Sequence, residues 1–449
     1  MEAHPVSDER HAPDRPATFR EVFAESEYRA VFVASCLSWI GDYMAKAAVT
    51  VLVYQESRSV ALSAAAFAVS YLPWLIGGPL LATLAERYPY RRVMVTCDLV
   101  RMVLIGVVAI PGLPVPLILV LLFVTTLANS PSQAARSATM PLILRGDRLV
   151  LGLSLSLSTG QAAQIGGYLA GAGIAAIDPH VAMLIDSLTF LASALIIQFG
   201  VRLRPSAMTE HHRSYLLRET AEGFQIVFGT PVLRAIAVLV FSAMLFAIVP
   251  EGLAAAWAAE QGGQNERLAQ ALIMIANPIG FILGSLLISR AVPPEGRQRL
   301  IRPFAVVAPL ALIPALVDPP TAVVAALATV SGFAVAGMMP VANGLFVQAL
   351  PHGFRARAFG VMATGTQVSQ GAAVLLTGLL ADRYDIPTVV GLWSVAGVLL
   401  MLVAAANWPS PARFNAAIAE AQQSRPAEAP PGPVVPPVRR PGGPAAANR

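Results

Sequence analysis

Residues 321–354 read TAVVAALATVSGFAVAGMMPVANGLFVQALPHGF and contain no charged side chain. Uncharged stretches of similar character occupy residues 59–85, 102–135, 149–177 and 268–289. About 20 predominantly apolar residues in an α-helix span the roughly 30 Å hydrocarbon layer of a bilayer. Each stretch is therefore long enough for one membrane-spanning helix, and the longest ones also contain turn or helix-end residues.

The composition excludes several classes of protein. Hydrophobic residues make up 56% of the 449 residues and charged residues only 13%, which is more apolar material than one soluble core buries. The net charge of +5 comes from arginines spread between apolar stretches, whereas a nucleic-acid-binding domain would cluster them on one face. No spacing of His, Cys and carboxylates matches a metal site, and no glycine-rich phosphate loop ends in lysine. We therefore expect a multi-pass membrane protein that is not an enzyme and has no cofactor, metal or nucleic-acid partner.

Proline, glycine and charged residues between the apolar stretches predict twelve transmembrane helices, because Pro and Gly interrupt helices and favour turns. Their predicted bounds are 29–53, 61–84, 93–111, 116–138, 149–177, 181–201, 231–256, 267–290, 302–317, 321–349, 358–381 and 387–407. The arginines lie mostly in connections that follow even-numbered helices, and short cytoplasmic loops carry such an excess. We therefore expect both termini on the cytoplasmic side.

The two halves of the chain share a pattern that predicts duplication. Residues 131–171 and 340–378 each contain a proline late in one helix, a second proline at its end, and then a helix with Gln-x-x-Gln followed by glycine. Internal repeats of this kind are typical of transporters built from two bundles. The paired glutamines could line a substrate cavity or hydrogen-bond between helices, and packing is the favoured role. They are Gln161, Gln164, Gln367 and Gln370.

The predicted organisation follows from these two patterns. We expect an all-α membrane protein of two six-helix bundles, residues 29–201 and 231–407. Residues 202–230 are predicted to be a cytoplasmic connection with an amphipathic helix. Residues 1–28 are predicted to be a cytoplasmic tail, and the Pro-rich residues 408–449 a disordered one.

Residues 82–92, ATLAERYPYRR, resemble the loop between the second and third helices of the major facilitator superfamily, usually Gly-x-Leu-Ala-Asp-Arg-x-Gly-Arg-Arg. Ala82 stands where that loop has glycine, and Glu86 stands where it has aspartate. The resemblance implies a transporter that works by alternating access. It also implies a small-molecule substrate and a monomer in the bacterial inner membrane.

Three shorter segments resemble the bacterial drug and siderophore exporter branch, which includes macrolide-efflux and enterobactin-exporter-like proteins. They are Gly41-Asp42, Asp98-x-x-Arg101 and residues 185–190, IDSLTF. The resemblance implies proton-coupled efflux of a drug-like or siderophore-like molecule. Two alternatives stay open: uptake by uniport or symport, and a membrane scaffold or sensor that does not transport.

The charged residues of the second loop and third helix are predicted to form a gating latch, mainly on the strength of the resemblance. An ion pair between such groups can hold one conformation shut and break in the other. The alternative is that the arginines only set the orientation and the acids balance them. The residues are Glu86, Arg87, Arg91, Arg92, Asp98 and Arg101, of which the last two lie one helical turn apart and can pair locally.

Asp42 and Lys46 lie four residues apart near the middle of the first predicted helix. A charge in hydrocarbon costs at least about 2.5–3.5 kcal/mol, so both should face a central cavity or each other. Our hypothesis is that Asp42 couples proton entry to export and that Lys46, the only lysine, tunes it; the alternative is a static pair. Glu251, after Pro250, is a second proton-coupling candidate, and Asp186 is a cavity-lining candidate. Both lie toward the outer ends of their helices, where an acid can reach water.

Two further features are expected to have no part in this site. Residues 378–383, GLLADR, spell the family loop more closely than residues 82–87 do, yet they follow an odd-numbered helix and should lie outside the cell. Arg136 lies near Pro141 and is expected close to the cytoplasm.

Overall fold

The computed structural model describes residues 18–76, 88–144, 147–175, 177–204, 216–261, 266–292, 294–350 and 355–423, and the regular structure in these ranges is helical throughout. The helices of the first half are α1 (Phe19–Ala24), α2 (Ser26–Ser57), α3 (Val60–Ala68), α4 (Tyr90–Val108), α5 (Val115–Ile143), α6 (Asp147–Ala175) and α7 (Pro179–Gly200). Those of the second half are α8 (Leu216–Gly229), α9 (Pro231–Ala247), α10 (Val249–Glu260), α11 (Glu266–Ala291), α12 (Pro294–Leu310), α13 (Thr321–Ala349), α14 (Arg355–Ala381), α15 (Ile386–Ala406) and α16 (Pro411–Gln423).

Within the described residues, eight helical segments are long and apolar enough to cross a membrane. They are Ser26–Ser57, Val115–Ile143, Pro179–Gly200, Pro231–Glu260, Glu266–Ile288, Gly296–Val317, Thr321–Ala349 and Ile386–Ala406. Of the other four predicted spans, 61–84 begins with α3 and runs beyond the described residues after residue 76, and the remaining three correspond to α4, α6 and α14. Charged residues in α4 and the many Ser, Gln, Thr and Gly residues in α6 and α14 lower the hydropathy of those helices. The predicted all-α membrane fold is confirmed.

Proline explains where several of these helices start and break. Pro179, Pro231 and Pro387 occupy the first turns of α7, α9 and α15, where a missing N–H leaves no bond unmade. The second predicted helix is interrupted: α3 ends at Ala68, and turns follow up to Pro73. The prediction of one continuous helix is therefore wrong for residues 69–73.

The helices pack around four buried cores within the described residues, and one of them contains residues of both halves. At the end that carries the arginine-rich loops, one core belongs to the first half, with Tyr28 and Met94, and another to the second half, with Leu233 and Phe346. At the opposite end one core joins both halves, and a smaller one with Ile105 and Ala182 belongs to the first half alone. Members of the joining core include Ala64, Phe67, Tyr168, Leu253, Trp257, Ile273 and Val374. The two bundles are thus joined on the face opposite the arginine-rich loops and packed independently on the arginine-rich face.

The structure describes parts of two segments predicted to lie outside the bundles, and one of them differs from expectation. The amphipathic segment forms α8, which packs on the second bundle, with Val227 buried and Glu222 paired with Arg357 at 2.6 Å. The chain after residue 408 was predicted to be disordered, but residues 411–423 form α16. Its Phe414 is buried in the core of the second bundle and contacts the Trp408 ring, which an unpacked tail could not do. Residues 424–449 lie outside the described part of the chain.

Candidate functional site

A cavity of about 710 Å³ lies between the two bundles, midway along the helices. Its wall combines apolar and aromatic side chains with amides and charged groups. The structure brings the residues predicted to couple protons or line a cavity together on this wall, and it adds Arg101 from the predicted latch. They are Asp42, Lys46, Arg101, Gln161, Gln164, Asp186, Glu251, Gln367 and Gln370.

Asp42 of α2 forms an ion pair with Arg101 of α4. The Arg101 side chain is 2% exposed and that of Asp42 is 30% exposed, so the guanidinium is buried while the carboxylate still reaches the cavity. The guanidinium also lies 4.0 Å from the centre of the Phe190 ring, where a cation–π contact stabilises it. Asp42 is therefore paired with Arg101 and not with Lys46, and Arg101 does not pair with Asp98.

Asp186 of α7 lies against the same pair. Its side chain is buried, and the Thr189 hydroxyl donates a hydrogen bond to it at 3.2 Å. Gly41 allows this arrangement, because a Cβ atom at that position would overlap the Asp186 carboxylate and the Thr189 hydroxyl. The expectation that Asp186 reaches water at a helix end is therefore wrong, since close packing of α2 on α7 buries it.

The ammonium group of Lys46 lies among three aromatic side chains on the cavity wall. Its Nζ lies 4.4 Å from the centre of the Tyr71 ring and 5.2 Å from those of Tyr43 and Phe67, and it donates a 3.3 Å hydrogen bond to the Tyr71 hydroxyl. Aromatic faces attract cations at such distances. No carboxylate of the described residues forms an ion pair with it. Lys46 is therefore a cation on the cavity wall that neutral groups stabilise.

Glu251 of α10 bridges the two bundles. Glu251 is 3% exposed, and its carboxylate accepts hydrogen bonds from Tyr168 Oη at 3.0 Å and Gln164 Nε2 at 3.4 Å, both on α6 of the first bundle. Gln270 makes a parallel contact, donating from Nε2 to the Ala47 carbonyl across the same boundary at 3.1 Å. The expectation that Glu251 reaches water at the end of its helix is wrong, because it lies in the contact that closes the cavity on the face opposite the arginine-rich loops.

Asp98 and Arg136 form a second ion pair, inside the first bundle and away from the cavity wall. Arg136 Nη2 lies 3.1 Å from Asp98 Oδ2, and both side chains are buried. Ser193 Oγ donates to the same carboxylate at 2.6 Å, and Arg136 Nη1 donates to Ser35 Oγ at 2.9 Å. The sequence analysis did not predict this cluster, because Arg136 was expected to have no part in the site, whereas its burial inside the bundle requires a counter-ion.

The rest of the predicted latch is not assembled within the described residues. Arg91 donates to the Val201 carbonyl at 3.3 Å, and Arg92 is exposed. Glu86 and Arg87 lie outside the described residues, so their predicted role stays a prediction.

Several amides on the cavity wall keep free hydrogen-bonding capacity. Gln370 donates to the sulfur of Met244 at 3.2 Å. Four other amides make no hydrogen bond within the described part of the chain: Asn129, Gln133, Gln161 and Gln367. An amide both donates and accepts, so this part of the wall can bind a ligand with either kind of polar group.

Comparisons with known proteins agree with this architecture. The family model described as Major Facilitator Superfamily matches residues 31–325 and 267–442. No curated protein matches the sequence. Among solved structures, a mutant of the nucleoside transporter NupG has a TM-score of 0.70 at 14% identity, over 85% of this chain and 100% of that one. A POT family transporter in complex with a thioalcohol-conjugated peptide has a TM-score of 0.67 at 11% identity, over 84% of this chain and 94% of that one. The peptide transporter POT in complex with sulfate has a TM-score of 0.66 at 15% identity, over 87% of this chain and 98% of that one. These likenesses show a shared fold.

Proposed function

Since this chain belongs to the major facilitator superfamily and is a secondary transporter of that type, we propose that it exports a small amphipathic molecule in exchange for protons. We assign the coupling first to Glu251 and second to Asp42. The observation that carries the assignment is that the Glu251 carboxylate is buried between the bundles while it also lines the cavity. A proton on Glu251 can therefore act on both substrate binding and the bundle contact.

The physical basis is the cost of burying a charge. A carboxylate buried without full compensation is unfavourable, and protonation removes that cost. When the bundles separate on the face opposite the arginine-rich loops, water reaches Glu251 and either protonation state is tolerated. Closing that face buries the group again, so proton binding there favours closure. The proton then leaves through the cavity toward the arginine-rich face. Substrate binds from that face, and the protein then returns to the state that is open on the opposite face.

Asp42 and Lys46 set the charge balance around this step. Lys46 lies close enough to both Glu251 and Asp42 to interact with them electrostatically. Because Asp42 already pairs with Arg101, its charge is better compensated than that of Glu251. This difference is why we rank Glu251 first, with Lys46 as the group that tunes it.

The cavity wall supports an amphipathic substrate. Trp39, Trp74 and Phe281 offer apolar surface, while the amides offer hydrogen bonds. A drug-like or siderophore-like compound has this combination of surfaces.

The uncommitted amides also favour a second candidate function, which is proton-linked uptake of a more polar solute. NupG is a nucleoside transporter and POT a peptide transporter, and such solutes hydrogen-bond extensively. We regard uptake as the alternative.

Transport in proteoliposomes with an entrapped pH dye tests the proposal. A panel of macrolides, dyes, siderophores, nucleosides and dipeptides would be added to wild type, Glu251→Gln and Asp42→Asn. Glu266→Gln is the matched control, because Glu266 is an exposed carboxylate in the same bundle. We expect substrate-dependent proton movement in wild type and in the control. Glu251→Gln should lose it while retaining substrate-for-substrate exchange, since glutamine can still accept the Tyr168 hydrogen bond.

The direction of proton movement separates the two functions. Protons that move opposite to the substrate indicate export, and protons that move with it indicate uptake. If Glu251→Gln moves protons with substrate as well as wild type does, the assignment to Glu251 is refuted. If Asp42→Asn then lacks substrate-dependent proton movement, the assignment moves to Asp42.

A further inference from the structure

Residues 378–383, GLLADR, mark the point where α14 ends on the face opposite the arginine-rich loops. These residues resemble the family loop, but they lie on the opposite face from the predicted latch and so cannot be part of it. The proposed coupling at Glu251 does not use it either. Its contacts are nevertheless specific, and they cross the boundary between the two bundles.

The Asp382 carboxylate binds the first turn of α3, which belongs to the other bundle. Ser59 Oγ donates to Oδ2 at 3.0 Å, and the Ala61 backbone N–H donates to Oδ1 at 3.0 Å. Ser59 is also the N-cap of α3, where its hydroxyl accepts the Leu62 N–H at 3.1 Å. The first N–H groups of a helix have no partner within the helix, and a negative charge near them is favourable. Asp382 therefore completes the cap of a helix that its own bundle does not contain.

Glycine at position 378 allows this contact. A Cβ atom there would overlap the Ala64 Cβ and lie 3.5 Å from the Ala61 Cα, so the α14 backbone lies directly on α3. Gly378 precedes Asp382 by one helical turn and so sets where the carboxylate meets α3. Gly371 likewise allows α14 to pack close to the residues that follow α3, because a Cβ atom there would lie 2.9 Å from the Leu72 side chain.

We propose that Asp382, with Gly378 and the α3 cap, is an outer clasp that holds the bundles closed on the face opposite the arginine-rich loops and so sets the equilibrium between the two access states. Opening that face has to move α3 away from α14, which breaks both bonds to the carboxylate. Asp382 is exposed, so water replaces those bonds and the clasp biases the equilibrium without being required for folding.

The test is a distance measurement by double electron–electron resonance. Spin labels would be attached to Ile177→Cys and Val317→Cys, which are 87% and 79% exposed and lie on the same face in different bundles. The native Cys36 and Cys97 would be replaced by serine. Distances would be compared for the otherwise unchanged chain, Asp382→Ala, Asp382→Asn and Ser59→Ala, without substrate and without a pH gradient. The result therefore does not depend on proton coupling.

Asp385→Ala is the matched control, since Asp385 is an exposed carboxylate of the same loop that makes no side-chain capping bond. We expect the long-distance population to rise about three- to tenfold in Asp382→Ala, as the loss of an N-cap contact implies. Asp382→Asn should give a smaller rise and Asp385→Ala none.

The double variant Ser59→Ala/Asp382→Ala separates the clasp from general damage to the protein. It should shift the population no further than Asp382→Ala alone, because the Ser59 bond is already lost there. A distribution in Asp382→Ala that superimposes on the unchanged chain would overturn the proposal. So would an equal shift in Asp385→Ala, because the effect would then reflect loop charge and not the contact with α3.

Discussion

Replacing Asp98 with asparagine should destabilise the protein by about 3–5 kcal/mol, because it leaves the Arg136 charge buried without its counter-ion. The Asp98 side chain is 0% exposed and that of Arg136 is 7% exposed, so water cannot take over the lost interaction. Asparagine keeps the size of aspartate and can still accept a hydrogen bond. The loss therefore reports the charge and not a cavity.

The surrounding groups give an internal scale for this effect. Ser193→Ala removes one donor to the same carboxylate and should cost about 1.5–3 kcal/mol, as for other hydrogen bonds to charged groups. The double variant Asp98→Asn/Arg136→Gln has no buried charge at the site and should be more stable than Asp98→Asn alone. Asp385→Asn serves as a control because Asp385 is an exposed carboxylate that makes no side-chain capping bond.

Equilibrium unfolding in detergent micelles, followed by the fluorescence of the five tryptophans, would measure these differences. The reasoning is refuted if Asp98→Asn unfolds within about 1 kcal/mol of wild type, since an uncompensated buried guanidinium is costlier than that. It is also refuted if the double variant is less stable than Asp98→Asn, because neutralising Arg136 would then have brought no relief.

Two further predictions concern packing and acid stability. Gly284→Val should lower the thermal midpoint, because a Cβ atom at Gly284 would lie 2.6 Å from the Phe333 carbonyl oxygen. Gly344→Ala should not lower it and should raise it slightly, because nothing lies within 4 Å of that Cβ position and alanine is the better helix former. Hydrogen bonding from the His180 backbone and ring holds the pKa of Asp178 below its ordinary value of 3.8. The ionised Asp178 side chain therefore stabilises the folded state slightly at any pH above 3.8, and this stabilisation is lost as the pH falls through the lower pKa of the folded state. When the thermal midpoint is plotted against pH, Asp178→Asn should show a smaller fall at acid pH than wild type.

The sequence predicted the helices well where the hydrocarbon layer alone decides them. Residues 321–349 form a helix with the predicted bounds, because a run of apolar residues that long has no other stable arrangement in lipid. The first long helix extends to Ser26 and Ser57, beyond the predicted 29–53, because its polar ends lie near water, where hydropathy carries no signal. The break before Pro73 went unpredicted because proline at that depth can either kink a helix or end it.

The site was predictable as a set of residues but not as a set of contacts. Asp42, Lys46 and Glu251 stand out in the sequence because intramembrane charges are costly and tend to face a cavity. Their partners depend on how each helix is rotated and which helices are neighbours. Asp42 meets Arg101 across 59 positions of sequence, and no local spacing indicates that pairing. For Arg136 one signal was available, since an arginine inside a long helix needs an acid, but the short spacing favoured pairing Asp98 with Arg101.

Lys46 has a practical consequence because it is the only lysine in the chain and lines the cavity. Apart from the chain's amino terminus, an amine-acylating reagent has a single target, and that target lies where a substrate would bind. Permeant and impermeant reagents applied from either side of sealed vesicles would report which face admits them. Protection by a candidate compound would report occupancy. The native chain therefore has a built-in chemical reporter of access and binding that requires no engineered cysteine.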